Sequence, residues 1–232
     1  MSPFKKASAA LLVLALGIPN ALAGFADDCE SFSLQGRNLW LVAECLDGAG
    51  GIVKSTAFLG NWITNNNGEL EWKEDGAFQN SCQECSISGT QYTCTCATIR
   101  ETKSTTIDLN EHFVNKNGVL QSNLSGEPQD PGRSDMSVPE SFEYAFSVMG
   151  GNDGCDGAPF TLDELLMPLA YSFTTSTAAR FELNPGWELT AYSERGCSGD
   201  ILGVIGPADG NNCLAFSALA RSVCAEPLWT SI

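Results

Sequence analysis

The stretch Ser104–Leu120 reads S-T-T-I-D-L-N-E-H-F-V-N-K-N-G-V-L, and its pattern stands fifty residues earlier at Ser55–Leu70 as S-T-A-F-L-G-N-W-I-T-N-N-N-G-E-L. Leu59 answers Leu109, Ile63 answers Phe113, Asn65 answers Asn115, Gly68 answers Gly118 and Leu70 answers Leu120. A fixed offset with matched turn residues is an internal repeat. Two copies are too few for a solenoid, so the repeat predicts a pseudo-twofold unit in which each copy completes the other's core.

Working outward, the chain from Phe25 to Leu120 divides into two such units. Short strand-like runs occur in both: Leu39–Ala43 is continuously apolar, and Tyr92–Cys96 and Thr106–Leu109 alternate apolar and polar. Period two over four to six residues predicts half-buried strands. Asn67-Gly68 and Asn117-Gly118 are expected to make tight hairpin turns, because both residue types accept positive φ. Trp72 shares strand parity with Leu70 and is expected to face inward. Asp108–Val114 is expected to hold a single helical turn, capped by its Asp and Asn residues.

The N-terminus reads as a leader. Lys5 and Lys6 precede a short apolar run, Ala7–Ile18, and Ala21-Leu22-Ala23 is a small-residue cleavage site. The run is too short to span a bilayer, so residues 1–23 are expected to be removed and the rest secreted, with no membrane insertion. The remaining chain of about 209 residues carries ten basic against 28 acidic residues, a formal charge of −18. That balance excludes a nucleic-acid partner or an anionic membrane surface, both of which require a basic patch.

All ten cysteines follow the leader. An even count in an oxidising compartment reads as disulfides. Cys82–Cys96 and Cys85–Cys94 nest as a hairpin ladder would place them, and Cys29–Cys45 is the matching bridge in the first unit. The competing reading is a four-thiolate zinc site. The C-x-C spacing at Cys94 and Cys96 departs from the usual C-x-x-C pairs, and no metal or other cofactor is expected.

These residues resemble the cyanovirin-N homology (CVNH) family, specifically its secreted filamentous-fungal members. The likeness is carried by Phe25…Cys29, Cys45 and Leu59…Ile63…Asn65…Gly68…Leu70…Trp72. It continues through Phe78…Cys82-Gln83-Glu84-Cys85-Ser86-Ile87, Cys94-Thr95-Cys96 and Ser104–Gly118. It covers about a hundred residues. The resemblance implies an all-β domain of two pseudo-symmetric halves, each a three-stranded sheet plus a hairpin, with strands exchanged between repeats. It also implies a metal-free lectin for mannose-type glycans.

Carried over position by position, one pocket would use Gly24, Asp27 and Asp28, then Leu46, Asp47 and Gly48, and Asn115, Lys116 and Asn117. The other would combine Thr64, Asn65, Asn66 and Asn67 with Asn80 and Ser81, and with Thr98, Ile99 and Glu101. Two departures stand out. Ala97-Thr98-Ile99 lacks the basic and polar residues the family places there, and Leu46 replaces a polar or acidic one.

Residues 123–137, with Ser125–Gly132 at their centre, have no periodicity and read as a linker. Asn123-Leu124-Ser125 is the one N-glycosylation acceptor, at Asn123. Residues 138–232 read as a second disulfide-bonded antiparallel β domain of unknown type. Its strands are expected at Phe142–Val148, Arg180–Leu183 and Trp187–Tyr192, with a short capped helix at Thr161–Leu166. Its bridges are expected at Cys197–Cys213 and Cys155–Cys224.

Nothing in the chain composes an active site. His112 is the single histidine and is expected to pack or cap. No nucleophile-elbow motif occurs, and an acidic protein offers paired carboxylates anywhere. The reading is therefore a secreted, non-catalytic, glycan-binding protein, monomeric or a domain-swapped dimer. The alternative is a secreted structural or host-surface interaction protein whose sugar pockets are degenerate.

Overall fold

The computed structural model describes residues 24–130, 137–140, 145–149, 169–207 and 213–229. The expected leader, the Thr161–Leu166 helix and Cys155 lie outside these residues.

The first repeat opens with one helical turn, α1 (Phe25–Asp28), and continues into three antiparallel strands, β1 (Cys29–Gln35), β2 (Trp40–Leu46) and β3 (Ile52–Phe58). A 3-10 turn at Leu59–Asn61 leads to the hairpin β4 (Ile63–Asn66) and β5 (Glu69–Trp72). The second repeat restates this plan. A 3-10 turn at Phe78–Asn80 precedes β6 (Cys82–Ser88), β7 (Gln91–Ala97) and β8 (Thr102–Asp108). A further 3-10 turn at Leu109–Glu111 precedes the hairpin β9 (Phe113–Lys116) and β10 (Val119–Ser122). The Asp108 carboxylate caps that last turn by accepting the Asn110 N–H at 3.0 Å.

Both hairpins turn through the left-handed region. Asn67 and Gly68 have φ of 50° and 92°, and Asn117 and Gly118 have 51° and 88°. A β-branched residue would be strained there, so the Asn-Gly pairs fix the register.

The hairpins are exchanged. β5 packs on β8, and β10 packs on β3. The Leu70 amide donates to Thr105 Oγ1 at 3.1 Å, and the Leu120 amide donates to Ser55 Oγ at 2.9 Å, both in the interior. Thr105 and Ser55 occupy equivalent positions in the two repeats, so one polar lock is used twice. Leu59, Ile63, Leu109 and Phe113, the matched apolar positions of the repeat, are all fully buried. Trp72 is half-buried and spans the halves, edge-on to Phe113 and His112 of the second repeat.

Three disulfides brace the sheets: Cys29–Cys45, Cys82–Cys96 and Cys85–Cys94. They close loops with sequence separations of 16, 14 and 9, each contributing roughly 3 kcal/mol in the chain-entropy account.

Among the described residues, the C-terminal part forms one five-stranded antiparallel sheet. Its strands are β11 (Phe146–Met149), β12 (Leu169–Leu183), β13 (Trp187–Tyr192), β14 (Ile201–Ile205) and β15 (Cys213–Pro227), in the order β11-β12-β15-β13-β14. The disulfide expectation is corrected here. Cys197 is joined to Cys224, so neither Cys197–Cys213 nor Cys155–Cys224 forms. The Cys197 amide lies 3.2 Å from Ser222 Oγ, which places the 193–200 turn over β15 beside Cys224. Cys213 is disulfide-bonded as well.

The C-terminal sheet is docked on the repeats. The outer face of the first sheet carries Trp40 opposite Phe58 and Val42 opposite Thr56, all nearly buried. Trp187 and Trp229 cover it, with ring centroids 5.9 and 6.4 Å from Trp40. The Trp229 indole N–H donates to Thr56 Oγ1 at 3.0 Å, inside the interface. The same register positions of the second sheet carry Gln91 opposite Asp108 and Thr93 opposite Thr106. That polar face stays open to solvent, its two threonine hydroxyls paired at 2.8 Å. One face presents apolar area to bury and the other does not, which decides where the C-terminal sheet sits.

Candidate functional site

Hairpin exchange lays each Asn-rich turn against loops of the other sheet, and the two equivalent turn–loop junctions are the candidate recesses. In the first, the β9–β10 turn meets the β2–β3 loop. Asn115 Nδ2 donates to the Leu46 carbonyl at 2.8 Å, and Asn115 Oδ1 accepts the Gly118 amide at 2.9 Å. Asp47 shapes the facing loop, with Oδ1 accepting the amides of Ala49 and Gly51 at 2.9 and 2.7 Å. The fit is close: a β-carbon on Gly48 would lie 2.9 Å from Asn117 Oδ1. Turn α1 packs on β9 and brings Asp27 and Asp28 to the same region. The expected residues Asp27, Asp28, Asp47, Asn115, Lys116 and Asn117 are therefore brought together.

The second recess repeats the arrangement. Asn65 Nδ2 donates to Ser81 Oγ at 2.9 Å and to the Ala97 carbonyl at 2.8 Å, while Asn65 Oδ1 accepts the Gly68 amide at 2.7 Å. Asn67 Oδ1 accepts the Ile99 amide at 2.9 Å. Thr98 Oγ1 accepts the amides of Arg100 and Glu101 and donates to the Glu101 carbonyl, closing the 98–101 turn. Asn66 Nδ2 donates to Glu71 Oε1 at 2.9 Å. Asn80 sits in the 3-10 turn that packs on β4.

Asn65 thus commits both amide protons to the framework, while Asn115 commits one and keeps the other. They brace the turn against the opposite sheet. Thr98 and Asp47 are likewise loop-formers. The side chains whose polar ends make no protein contact among the described residues are Asp27, Asp28 and Lys116 in the first recess. In the second they are Thr64, Asn80 and Glu101.

Several neighbours were not legible in the sequence. Glu69 follows the first turn and pairs with Lys103, whose hydrogen bond and charge hold the Glu69 carboxyl below the usual carboxylate range. Glu69 Oε2 also accepts from Thr105 Oγ1 at 3.2 Å. Asp130 Oδ1 accepts from Asn117 Nδ2 at 2.9 Å, bringing the segment after the repeats onto the first recess. No repeat position marks Asp130, so no sequence signal pointed to it. Parity after the Asn67-Gly68 turn places Glu69 on the strand face opposite Leu70. Apolar side chains rim both recesses: Ile99 is 89% exposed, and Leu46 and Ile52 face each other across β2 and β3 at 41% and 50%.

His112 packs edge-on to Trp72 and its Nδ1 lies 2.6 Å from Asn123 Oδ1. The start of the expected linker is thereby pinned to the second repeat. The Ser125 hydroxyl extends the hold by bonding Glu74.

Two pseudo-symmetric sheets with exchanged hairpins, and a polar recess under each turn, define the class of protein. Residues 25–121 match the model of the CVNH domain, and through this segment the chain belongs to the CVNH family. The chain is similar to several solved structures over that segment. The CVNH protein of T. borchii is 31% identical, with 43% of this chain and 98% of that one covered and a TM-score of 0.37. Microvirin, in a mannobiose complex, is 29% identical, with 44% and 99% covered and a TM-score of 0.40. A MoCVNH3 variant in complex with (N-GlcNAc)4 is 20% identical, with 45% and 99% covered and a TM-score of 0.41. No curated protein matches.

Proposed function

We propose that this protein is a secreted, non-catalytic lectin that binds mannose-type glycans through the two recesses under its exchanged hairpins. The observation that carries the reading is the coincidence of the two recesses with the polar clusters of the CVNH repeat. Sugar hydroxyls are recognised by a few fixed donors and acceptors in a shallow site. Here Asp27, Asp28 and Lys116 supply them at one end, and Thr64, Asn80 and Glu101 at the other. Carboxylates can take two adjacent hydroxyls at once. Leu46 and Ile99 offer apolar contact to the C–H faces of a sugar ring. Four disulfides among the described residues support an oxidising, extracellular setting.

The test is a glycan array with the full chain, followed by titration with mannobiose and with a GlcNAc tetramer. Mannobiose binding that weakens in Asp27→Asn/Asp28→Asn, in Asn80→Ala/Glu101→Gln, or in both, supports the reading and assigns the active recess. Silence on every mannose and GlcNAc glycan, with disulfides intact, refutes it. A second reading is favoured by the framework role of Asn65 and Asn115. In it the recesses are stable joints, and the protein is a structural or surface-interaction module.

A further inference from the structure

The outer face of the first sheet is covered unevenly. At the Gln35–Trp40–Phe58 row the indoles of Trp187 and Trp229 close it. At the Ser31–Glu44–Lys54 row, the segment 137–140 reaches only as far as Lys54. Lys54 Nζ donates to the carbonyls of Pro139 and Glu140 at 2.8 and 3.0 Å. Gln35 Nε2 donates to the Glu140 carbonyl at 3.3 Å. This leaves a groove of about 240 Å³ lined by Ser31, Ser33, Gln35, Val42, Glu44 and Lys54.

The groove holds a coherent set of groups. Ser31 Oγ donates to Glu44 Oε2 at 2.7 Å, which fixes the carboxylate. The Ser33 hydroxyl makes no protein hydrogen bond among the described residues. Lys54 spends two of its three ammonium protons on carbonyls and keeps one. Val42, nearly buried, forms an apolar floor. An oriented carboxylate accepts two neighbouring hydroxyls, the ammonium donates to a ring or hydroxyl oxygen, and a C–H face rests on the floor. The volume lies below the range of about 300–1,000 Å³ usual for drug-sized ligands, which suits one sugar ring.

The second sheet is an internal control. Its corresponding row is Gln83, Thr95 and Ser104, with Glu84 beside it in a register irregularity and Thr95 Oγ1 donating to Glu84 Oε2 at 3.3 Å. Among the described residues it has no cation and no covering segment. The groove is therefore particular to the first sheet, whose own residues line it.

We propose that this groove is a third sugar site, distinct from both recesses, taking a single pyranose with vicinal hydroxyls. It stands on its own residues and does not require the recesses to bind. The test is an amide NMR titration of the full chain with methyl α-mannopyranoside and, separately, methyl N-acetyl-β-glucosaminide. Saturable shifts at Ser33, Glu44 and Lys54 in the millimolar range are expected with one of the two sugars. Glu44→Gln is expected to weaken them about tenfold, and Ser33→Tyr, which fills the groove, to abolish them. Amides of Lys116 and Asn80 report the recesses in the same spectra and are expected to be unaffected by either substitution. Unmoved groove amides with both sugars, or unchanged saturation in Glu44→Gln, would overturn the proposal. Movement in the groove with silence at both recesses would support the groove, and the mannobiose titration then decides the recess reading separately.

Discussion

Trp229→Ala is the perturbation that most directly tests how the C-terminal sheet is held. Trp229 is 6% exposed, and its ring centroid lies 4.8 Å from Trp187 and 6.4 Å from Trp40. Truncating a buried tryptophan costs about 3–5 kcal/mol. Of that, each aromatic pair accounts for about 0.5–1.5 kcal/mol beyond area burial, and the hydrogen bond to Thr56 for about 0.5–1.5 kcal/mol net. Trp229→Phe keeps an aromatic ring but removes the N–H, leaving the buried Thr56 hydroxyl unpaired, at about 1–3 kcal/mol. In a double-mutant cycle with Thr56→Val, part of that cost is expected back, with a coupling energy of about 1 kcal/mol. The assay is urea unfolding of the full chain, followed by far-UV circular dichroism and tryptophan fluorescence. Limited proteolysis would report release of the C-terminal sheet. Thr106→Val, on the open face of the second sheet, is the control and is expected to stay within about 0.5 kcal/mol of wild type. An additive cycle, or a Trp229→Ala protein as stable and as protease-resistant as wild type, refutes docking through this cluster.

Other outcomes follow from the same interior. Ser55→Ala and Thr105→Ala each strip the acceptor from a buried hairpin amide, and thermal unfolding is expected to show a loss of about 1–3 kcal/mol in each. Tyr92 is fully buried, its hydroxyl donating to the Asn38 carbonyl at 2.7 Å, and burial pushes its ionisation far above the ordinary value. The folded state keeps the neutral phenol, so this stability is complete below about pH 10 and falls as pH rises beyond it. Tyr92→Phe is expected to remove that alkaline slope in a stability–pH series. Glu69 behaves in the opposite sense: its lowered carboxyl favours the folded state above the ordinary carboxylate range, and the gain is lost as pH falls through its folded value. In Lys103→Ala, a carboxyl NMR titration is expected to move Glu69 upward. An unmoved titration would show that the pair is not formed in solution.

The fold of the repeats was readable because their signals are local and doubled. Asn-Gly turns, period-two runs and cysteine ladders each depend on a few neighbouring residues, and each appears twice at one offset. The lock between Leu70 and Thr105 was not readable, since nothing local says which sheet a hairpin will meet. Residue type alone does not assign the roles of Asn65 and Asn115. An asparagine amide serves a sugar hydroxyl and a backbone carbonyl equally well, and only the exchanged packing shows that carbonyls claim it. Cys197 and Cys213 are near in sequence, yet Cys213 opens the long strand β15, and it is Cys224, farther along that strand, that reaches the 193–200 turn. The docking of the C-terminal sheet was latent in one contrast, Trp40, Val42 and Phe58 against Gln91, Thr93 and Asp108. That contrast gains meaning only once the strand register shows these residues sharing one outward face.

The traded hairpins carry a consequence for ancestry. Each half lends out the two strands that would finish its own core and receives its sister's in return. A solitary copy would expose the row around Ser55 or Thr105 and leave its hairpin unhoused. It could close only by trading with a second chain, so an unduplicated forerunner of this architecture would live as an obligate pair. Joining two copies end to end turns that bimolecular bargain into an intramolecular one, independent of concentration. It also lets the two copies differ, as they do here, where one sheet seats tryptophans and the other carries threonines.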